Sequence, residues 1–497
     1  MKMMKIRNIV LGIAFALGCS ACNDWLTVQP ETVIVEEDMC TTDEGVRQLL
    51  NGMYLKMRGQ LYHPGFALGG GDCLPEGLAC TWTPAGERLI ALHERDYKTK
   101  SSVISLLNTT FRDLYDVIAM TNDLVKNAGL HKDRLTDSVY NIGVGEALAI
   151  RALCHLDLIR LWGPMPAHVD ASKNYLPYVT VNSTELYEYL PYEKYMELLF
   201  DDLNRAEELL FASDPVVGNS FGSTEVSNAP WSYRKSRINY WGVLGLQARA
   251  HLWYGDKEEA LRYARLVINA KNADGSTKVR LMNLEDDFPQ IELIPGTGIM
   301  GRTMTDGAAY PEHLCGTKCD DWYSWDIAKS GWQGTQATLF VDGYENVEEF
   351  KELFDNDLND LRQSQLWQSA DRPSWGIFRR SFRKYERFYN NPSSPYPANF
   401  PIVRLSEMYL VIMECAPLAE ANQAWEVFSA ARGLEYVPYT ENDRGNRVYK
   451  EWIRELLGEG QNFYTYKRYG VAKMYFNPVE ITNDQYVLPI PEKEFLK

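Results

Sequence analysis

Positive charge is what this chain is short of. Lys and Arg number 51 against 67 Asp and Glu, a formal net charge of −16 over 497 residues. Nucleic-acid binding draws its affinity from a surplus of cations, so that class of function is excluded. A polybasic contact with an anionic membrane surface falls on the same ground. Histidine is scarce too, seven residues scattered at positions 63, 93, 131, 155, 168, 251 and 313. None of them makes an H-E-x-x-H pair, and there is no G-x-S-x-G elbow. The run Gly69-Gly70-Gly71 lacks the Lys-Ser/Thr that a phosphate loop needs. Glycoside hydrolysis requires two carboxylates at a set separation, and nothing selects such a pair among the acidic residues. The sequence therefore offers no catalytic constellation and no cofactor motif.

Long apolar runs are also missing. Beyond the N-terminus no segment is apolar enough to span a bilayer. At the N-terminus Lys2, Lys5 and Arg7 precede a short apolar stretch, Ile9–Leu17, and Ser20-Ala21 then leads into Cys22. This pattern predicts a secretory signal over 1–21 and lipid acylation of Cys22, with Cys19 or simple secretion as alternatives. Anchoring would then be by lipid alone. Residues 22–40 are expected to form a tether, and 41–497 one domain.

Two of the nine cysteines lie in the signal region; the remaining seven are an odd number, in a chain too large to need a disulfide framework. Cys73 with Cys80, and Cys315 with Cys319, are close enough in sequence to pair in an oxidising compartment. His313, Cys315, Cys319, Asp320 and Asp321 together could instead form a metal site, a lesser alternative to a disulfide or free thiols. Cys154 and Cys415 lie in apolar helical stretches and are expected in the core.

What the chain has in quantity is apolar and aromatic surface: 45% hydrophobic residues, with 13 Trp and 30 Tyr. Apolar residues recur at helical spacing through several segments. Thr41-Thr42-Asp43-Glu44 opens one helix as a capping box. Phe111, Leu114, Ile118 and Val125 mark another, with Asn122 on the same face. Ala147, Ile150, Cys154, Leu158 and Leu161 mark its antiparallel partner, which stops at Gly163-Pro164. Arg151 sits on that apolar stripe, so a buried carboxylate partner is required, and Glu407 is a candidate. Leu246–Ala250 echoes Leu148–Ala152, placing Arg249 where Arg151 stands in the first copy. Helix, tight turn and helix with small residues at the crossings is tetratricopeptide-like packing in degenerate form.

The expected fold is mainly α. A helical scaffold over about 41–270 and 401–470 carries irregular segments, 59–100 and 271–400, with helix returning at Pro401. Loops held on a rigid scaffold carry function. Pyranose rings present C–H faces that stack on aromatic side chains, and their hydroxyls need polar partners. The candidate ligand-binding residues are therefore Trp82, Asp320, Asp321, Trp322, Tyr323, Trp325 and Trp332, with Gln333 nearby. Peptides would use the same rings.

Several motifs run in order along the chain. They begin with Cys22-Asn23-Asp24-Trp25-Leu26 and continue with Leu114-Tyr115, Ile118 and Asn122. Glu146-Ala147, Arg151-Ala152 and Leu161-Trp162-Gly163 with Pro166 follow, then Ala248-Arg249-Ala250 with Leu252. Pro401-Ile402, Arg404-Leu405, Glu407 and Tyr409-Leu410 precede Glu455-Leu456 with Gly458-Glu459-Gly460 and the closing Leu488-Pro489-Ile490-Pro491. Together these motifs resemble the SusD/RagB family of outer-membrane nutrient-binding lipoproteins; that family's E-R before E-L-x-G-E-G is Glu451-Trp452 here, and its aspartate after the Phe is replaced in Phe463–Arg468. The resemblance implies a tetratricopeptide-containing helical fold and a non-enzymatic role on the cell exterior. It implies a SusC-like TonB-dependent β-barrel as partner, and delivery to it of oligosaccharide or, in some branches, peptide. Asn122, Arg151, Arg249, Arg404 and Glu407 are then structural. A secreted glycoside hydrolase and a tetratricopeptide adaptor are the rival readings.

Overall fold

The computed structural model describes residues 36–62, 74–225, 231–282, 309–318, 340–382, 384 and 399–492, except 85, 370, 372 and 478, together with 287 and the strands at 290–293 and 300–303. Its long helices are α1 (Asp43–Gln60), α2 (Ser101–Leu130), α3 (Asp137–Trp162), α4 (Tyr192–Ser213), α5 (Tyr240–Tyr254), α6 (Lys257–Ile268), α7 (Tyr344–Leu353), α8 (Leu405–Cys415), α9 (Leu418–Ala431), α10 (Arg444–Leu456) and α11 (Asn462–Tyr469). The strands are β1 (Asn174–Leu176), β2 (Leu190–Pro191), β3 (Gln290–Leu293), β4 (Met300–Thr303), β5 (His313–Lys318), β6 (Phe340–Asp342), β7 (Trp367–Ser369), β8 (Arg379–Phe382) and β9 (Asn399–Arg404). The fold is mainly α, as the periodicity predicts.

The helices stack in sequence: α2 on α3, α3 on α4, α5 on α6, and α8 on α9 with α6 against α8. Local chemistry fixes their ends. Thr42 caps α1 by accepting from the Gly45 amide, and Asn239 caps α5 from the Gly242 amide. Gly255, at φ 95°, ends α5, and Asp256 opens α6 by accepting from the Glu259 amide. The central helix is α3, buried on every side from Ile142 to Trp162 rather than along one stripe. Gly145 lets α4 come close, since a Cβ there would stand 2.9 Å from Leu210.

A helix buried all round must satisfy every charge it carries. Arg151 does so with Asp202 on α4, Nε donating at 2.7 Å to one carboxylate oxygen and Nη2 at 2.5 Å to the other. Asn122 accepts from Arg151 Nη1 at 2.9 Å, and Tyr178 donates to Asp202 at 2.6 Å. Glu407 is therefore not the partner of Arg151. It belongs to Arg249, which donates at 2.8 and 2.7 Å to its two oxygens. The two copies of the repeat keep the arginine and take carboxylates from different places in the chain.

Two further expectations are corrected. Pro401 does not start a helix: Asn399–Arg404 is the strand β9, antiparallel to β5, with Pro401 opposite Gly316 at an irregular point of the register. The apolar, β-branched run Phe400-Pro401-Ile402-Val403 suits a buried strand, and the helix begins at Leu405. Nor is 271–400 irregular throughout, because it holds α7, the short helix Leu361–Leu366 and the three-stranded sheet β6-β8-β7. A helical turn over Glu36–Met39 also falls within the stretch read as a tether.

Candidate functional site

The sheet β6-β8-β7 is where the aromatic residues of the second half are sorted. Antiparallel pairing sets Asp342 opposite Arg379, Val341 opposite Arg380, and Trp367 opposite Phe382. Alternation then puts Val341, Trp367 and Phe382 on one face and Phe340, Asp342 and Arg379 on the other.

The inner face is an aromatic core. Trp82, fully buried, packs against Phe382 and Trp367 at ring-centroid distances of 5.1 and 5.9 Å. Trp367 also meets Phe350 of α7 at 4.8 Å. Backbone bonds fix this arrangement: the Thr83 amide donates to the Phe340 carbonyl at 2.8 Å, and Thr83 Oγ1 accepts from the Asp342 amide at 2.7 Å. Trp82 therefore has no free face for a ligand. The Gly- and Pro-rich surroundings that mark it as a loop residue are real, but the loop turns inward.

The outer face and one end of the sheet carry the opposite kind of residue. The end of β6, the end of β7 and the start of β8 lie together, so the 343–344 turn and the connection from β7 to β8 start side by side. Trp375, at the hairpin tip, is 71% exposed, and Tyr344, at the start of α7, is 59% exposed. Tyr344 packs edge-on against Phe378 at 5.1 Å, and the Gly343 amide donates to the Phe378 carbonyl. Arg379 donates to Asp342 at 2.7 Å and lies over the Phe340 ring at 4.3 Å. Asp371 accepts from Arg380 at 2.6 Å and from the Arg379 amide at 3.2 Å. Partial burial would raise the Asp371 pKa, but Arg380 outweighs it and holds the carboxyl below its ordinary value. The result is exposed rings bordered by fixed, ionised polar groups.

A buried charge network holds this sheet to the helices. Arg362 donates to Asp360, Glu451 and Glu455 at 2.7, 2.7 and 3.1 Å. Arg432 joins Glu455 to Glu312 at 2.7 and 2.8 Å. Arg404 reaches Glu459 at 2.8 Å and Glu312 at 2.9 Å, and Lys384 also contacts Glu459. Burial would raise the Glu455 pKa, yet Arg432 and Arg404 hold it well below the usual carboxylate range. At Gly458, φ 74°, a Cβ would stand 2.5 Å from the Phe382 ring. Glu76 joins from the other side, accepting from the Gly460 amide at 2.7 Å and Thr81 Oγ1 at 2.6 Å. Its hydrogen-bond donors are neutral, and burial, with a smaller contribution from the Glu459 charge, pushes its pKa up to about 7.

Asp320, Asp321, Trp322, Tyr323, Trp325 and Trp332 lie outside the described residues, as does Cys22. So do Cys73 and Cys319, while Cys80 and Cys315 are buried free thiols. His313 meets Asn399 at 2.8 Å, and among the described residues no group of three or more His, Cys, Asp or Glu could hold a metal ion. No described helix is long and apolar enough to cross a membrane. Asn122, Arg151, Arg249, Arg404 and Glu407 are all buried in ion-pair or hydrogen-bond networks. Trp375 and Tyr344 were not singled out by the sequence pattern. The signal that finds Trp375 is Pro373-Ser374-Trp375-Gly376, a turn that lifts a tryptophan to the surface.

Residues 272–495 match the SusD family model. The SusD-like protein P25 of Formosa agariphila is 27% identical over 173 residues, which is 34% of this chain. The match spans about a third, 32%, of that relative's length. A SusD superfamily protein from Bacteroides thetaiotaomicron superposes with a TM-score of 0.68 at 20% identity, over 91% of this chain and 97% of that one. One from Bacteroides vulgatus gives 0.67 at 20% identity, over 92% and 97%. Surface glycan-binding protein A from B. thetaiotaomicron, in complex with laminarihexaose, gives 0.59 at 16% identity, over 91% and 97%. At these identities the likeness to the solved structures is one of fold.

Proposed function

We propose that this chain is a SusD/RagB family member that binds oligosaccharide without cleaving it and delivers it to a SusC-like TonB-dependent transporter; the SusD family model over residues 272–495 supports the assignment. In this reading it is anchored at the outer membrane through Cys22 and faces the cell exterior. The observation that carries the binding role is the pair of exposed rings, Trp375 and Tyr344, at one end of a rigid sheet beside Asp342, Asp371 and Arg379. A sugar ring would lay its apolar face on the aromatic surface and its hydroxyls toward those charged groups. Because those groups are already paired and ordered, little side-chain freedom is left to lose on binding. Asp320, Asp321, Trp322, Tyr323, Trp325 and Trp332, in the segment that leads into β6, are proposed to complete the surface. The glycan-bound relative of the same fold supports this reading.

Titration of the native chain with a panel of neutral hexasaccharides, laminarihexaose among them, and with a peptide digest tests it. At least one hexasaccharide should quench tryptophan fluorescence and be recovered at its original length. Shortened products would establish an enzyme, and binding by peptides alone would overturn the glycan assignment. Cys22→Ala should release the protein from membranes; retention would refute the lipid anchor.

A further inference from the structure

At the C-terminal end of the central helix lies a cavity of about 310 Å³ that the sheet surface does not include. It forms at the Gly163-Pro164 corner where α3 stops. Pro164, Met165 and Val487 give it an apolar floor, and Tyr175 a wall. Around the rim stand His168, Asp170, Lys173, Asn483 and Asp484. Its volume sits at the small end of ligand cavities, enough for a single compact unit.

Both walls are tied to the same helix end. The Leu488 amide donates to the Leu161 carbonyl at 3.2 Å, and Trp162 Nε1 to the Pro489 carbonyl at 3.0 Å. Beneath them the buried Nζ of Lys467 donates to the carbonyls of Arg160 and Gly163, both at 2.8 Å. It satisfies carbonyls that the last turn of a helix leaves open. Tyr175 is pinned by its hydroxyl, which accepts from the Asp170 amide at 2.8 Å. The cavity is therefore pre-formed.

The rim divides into groups that are used and groups that are not. Asp170 is taken up by the Ser172 amide and hydroxyl at 3.0 and 2.7 Å, with Lys173 at 3.4 Å. Asn483 lies 3.1 Å from His168 Nε2, a contact within the rim. The Asp484 carboxylate makes no hydrogen bond or ion pair among the described residues. An imidazole and a carboxylate without a described partner thus stand at the rim of an apolar floor. That combination fits a ring with a C–H face and neighbouring hydroxyls, and the Asp484 carboxylate disfavours an anion.

We propose that this corner cavity is a second binding site, for one neutral pyranose unit, separate from the aromatic end of the sheet. The class of ligand rests on the glycan reading above; the location rests on the cavity itself.

The ε-methyl of Met165 reports on the floor. The full chain with ¹³C-labelled methionine methyls, assigned through Met165→Leu, is titrated with methyl glucoside, methyl galactoside and methyl glucuronoside. The Met165 signal should shift at millimolar concentrations of at least one neutral glycoside and remain still with the glucuronoside. Asp484→Ala, an exposed substitution, should weaken the effect at least fivefold, and Trp375→Ala should leave it intact. A Met165 signal unmoved by both neutral glycosides overturns the proposal, as does an equal response to the glucuronoside or to Asp484→Ala. If hexasaccharides bind through Trp375 while Met165 stays silent, this site alone fails. If Met165 responds while no hexasaccharide binds at the sheet, the sheet reading alone fails.

Discussion

The two sides of one small sheet use the same residue type for opposite ends. Trp82, Trp367 and Phe382 fill the space beneath β6-β8-β7, whereas Trp375 and Tyr344 stand in solvent at its edge. Trp82 is 0% exposed and Trp375 71%. Composition is equally aromatic in both sets; strand alternation and a single turn decide which ring is packing and which is surface. A tryptophan in a Gly- and Pro-rich stretch is therefore not by itself a ligand contact. What matters is whether the neighbouring backbone is hydrogen-bonded inward, as Thr83 is to Phe340, or turned outward, as at Pro373–Gly376.

The comparison breaks first if the inner rings prove dispensable. Trp367→Ala should cost about 3–5 kcal/mol, the usual range for deleting a large buried ring, read as a lowered denaturation midpoint. Whatever remains folded should bind glycan as before; lost binding at unchanged stability would reverse the two roles. Arg151→Ala leaves Asp202 buried without its cation and should cost about 3–5 kcal/mol as well. It touches neither ring set, so a changed ligand preference would contradict the scaffold role.

A smaller effect concerns the joint between the sheet and the helices. Burial raises the Glu76 carboxyl to about 7, so the folded chain holds that proton to higher pH than the unfolded chain does. Its contribution is intact below the ordinary carboxylate range and is lost as pH rises through about 7. Melting temperature should fall between pH 5 and 8, and Glu76→Gln should flatten that slope. Acids held by arginines, such as Glu455, act in the other direction: their contribution is present above the ordinary range and is lost as pH falls below it. Smallest of all, Trp375→Ala should change stability by no more than about 0.5 kcal/mol, as for an exposed position.

The helices were legible because burial writes itself as periodicity, and the start of α1 because Thr42 has a local job there. Arg151 could be read as paired, but not with what. Asp202 lies on α4 and Glu407 beside Arg249, and which helix faces which is a tertiary fact. Pro401 misleads because one residue type serves helix starts and strand edges alike, and only the partner strand β5 distinguishes them. Trp82 misleads because inward and outward turns share a composition. The E-L-x-G-E-G stretch gives no hint that Glu455 and Glu459 bind arginines 23 to 93 residues away. The motifs that resemble the SusD/RagB family shape this scaffold, which is why they say little about the exposed rings.

The account turns on the outer rings being the ligand surface. Its most direct test is calorimetric titration of a hexasaccharide that binds the native chain into Trp375→Ala and Tyr344→Ala, with melting temperatures measured alongside. A loss of affinity of at least tenfold in Trp375→Ala at unchanged melting temperature is the predicted result. Unchanged affinity in both variants would contradict the account.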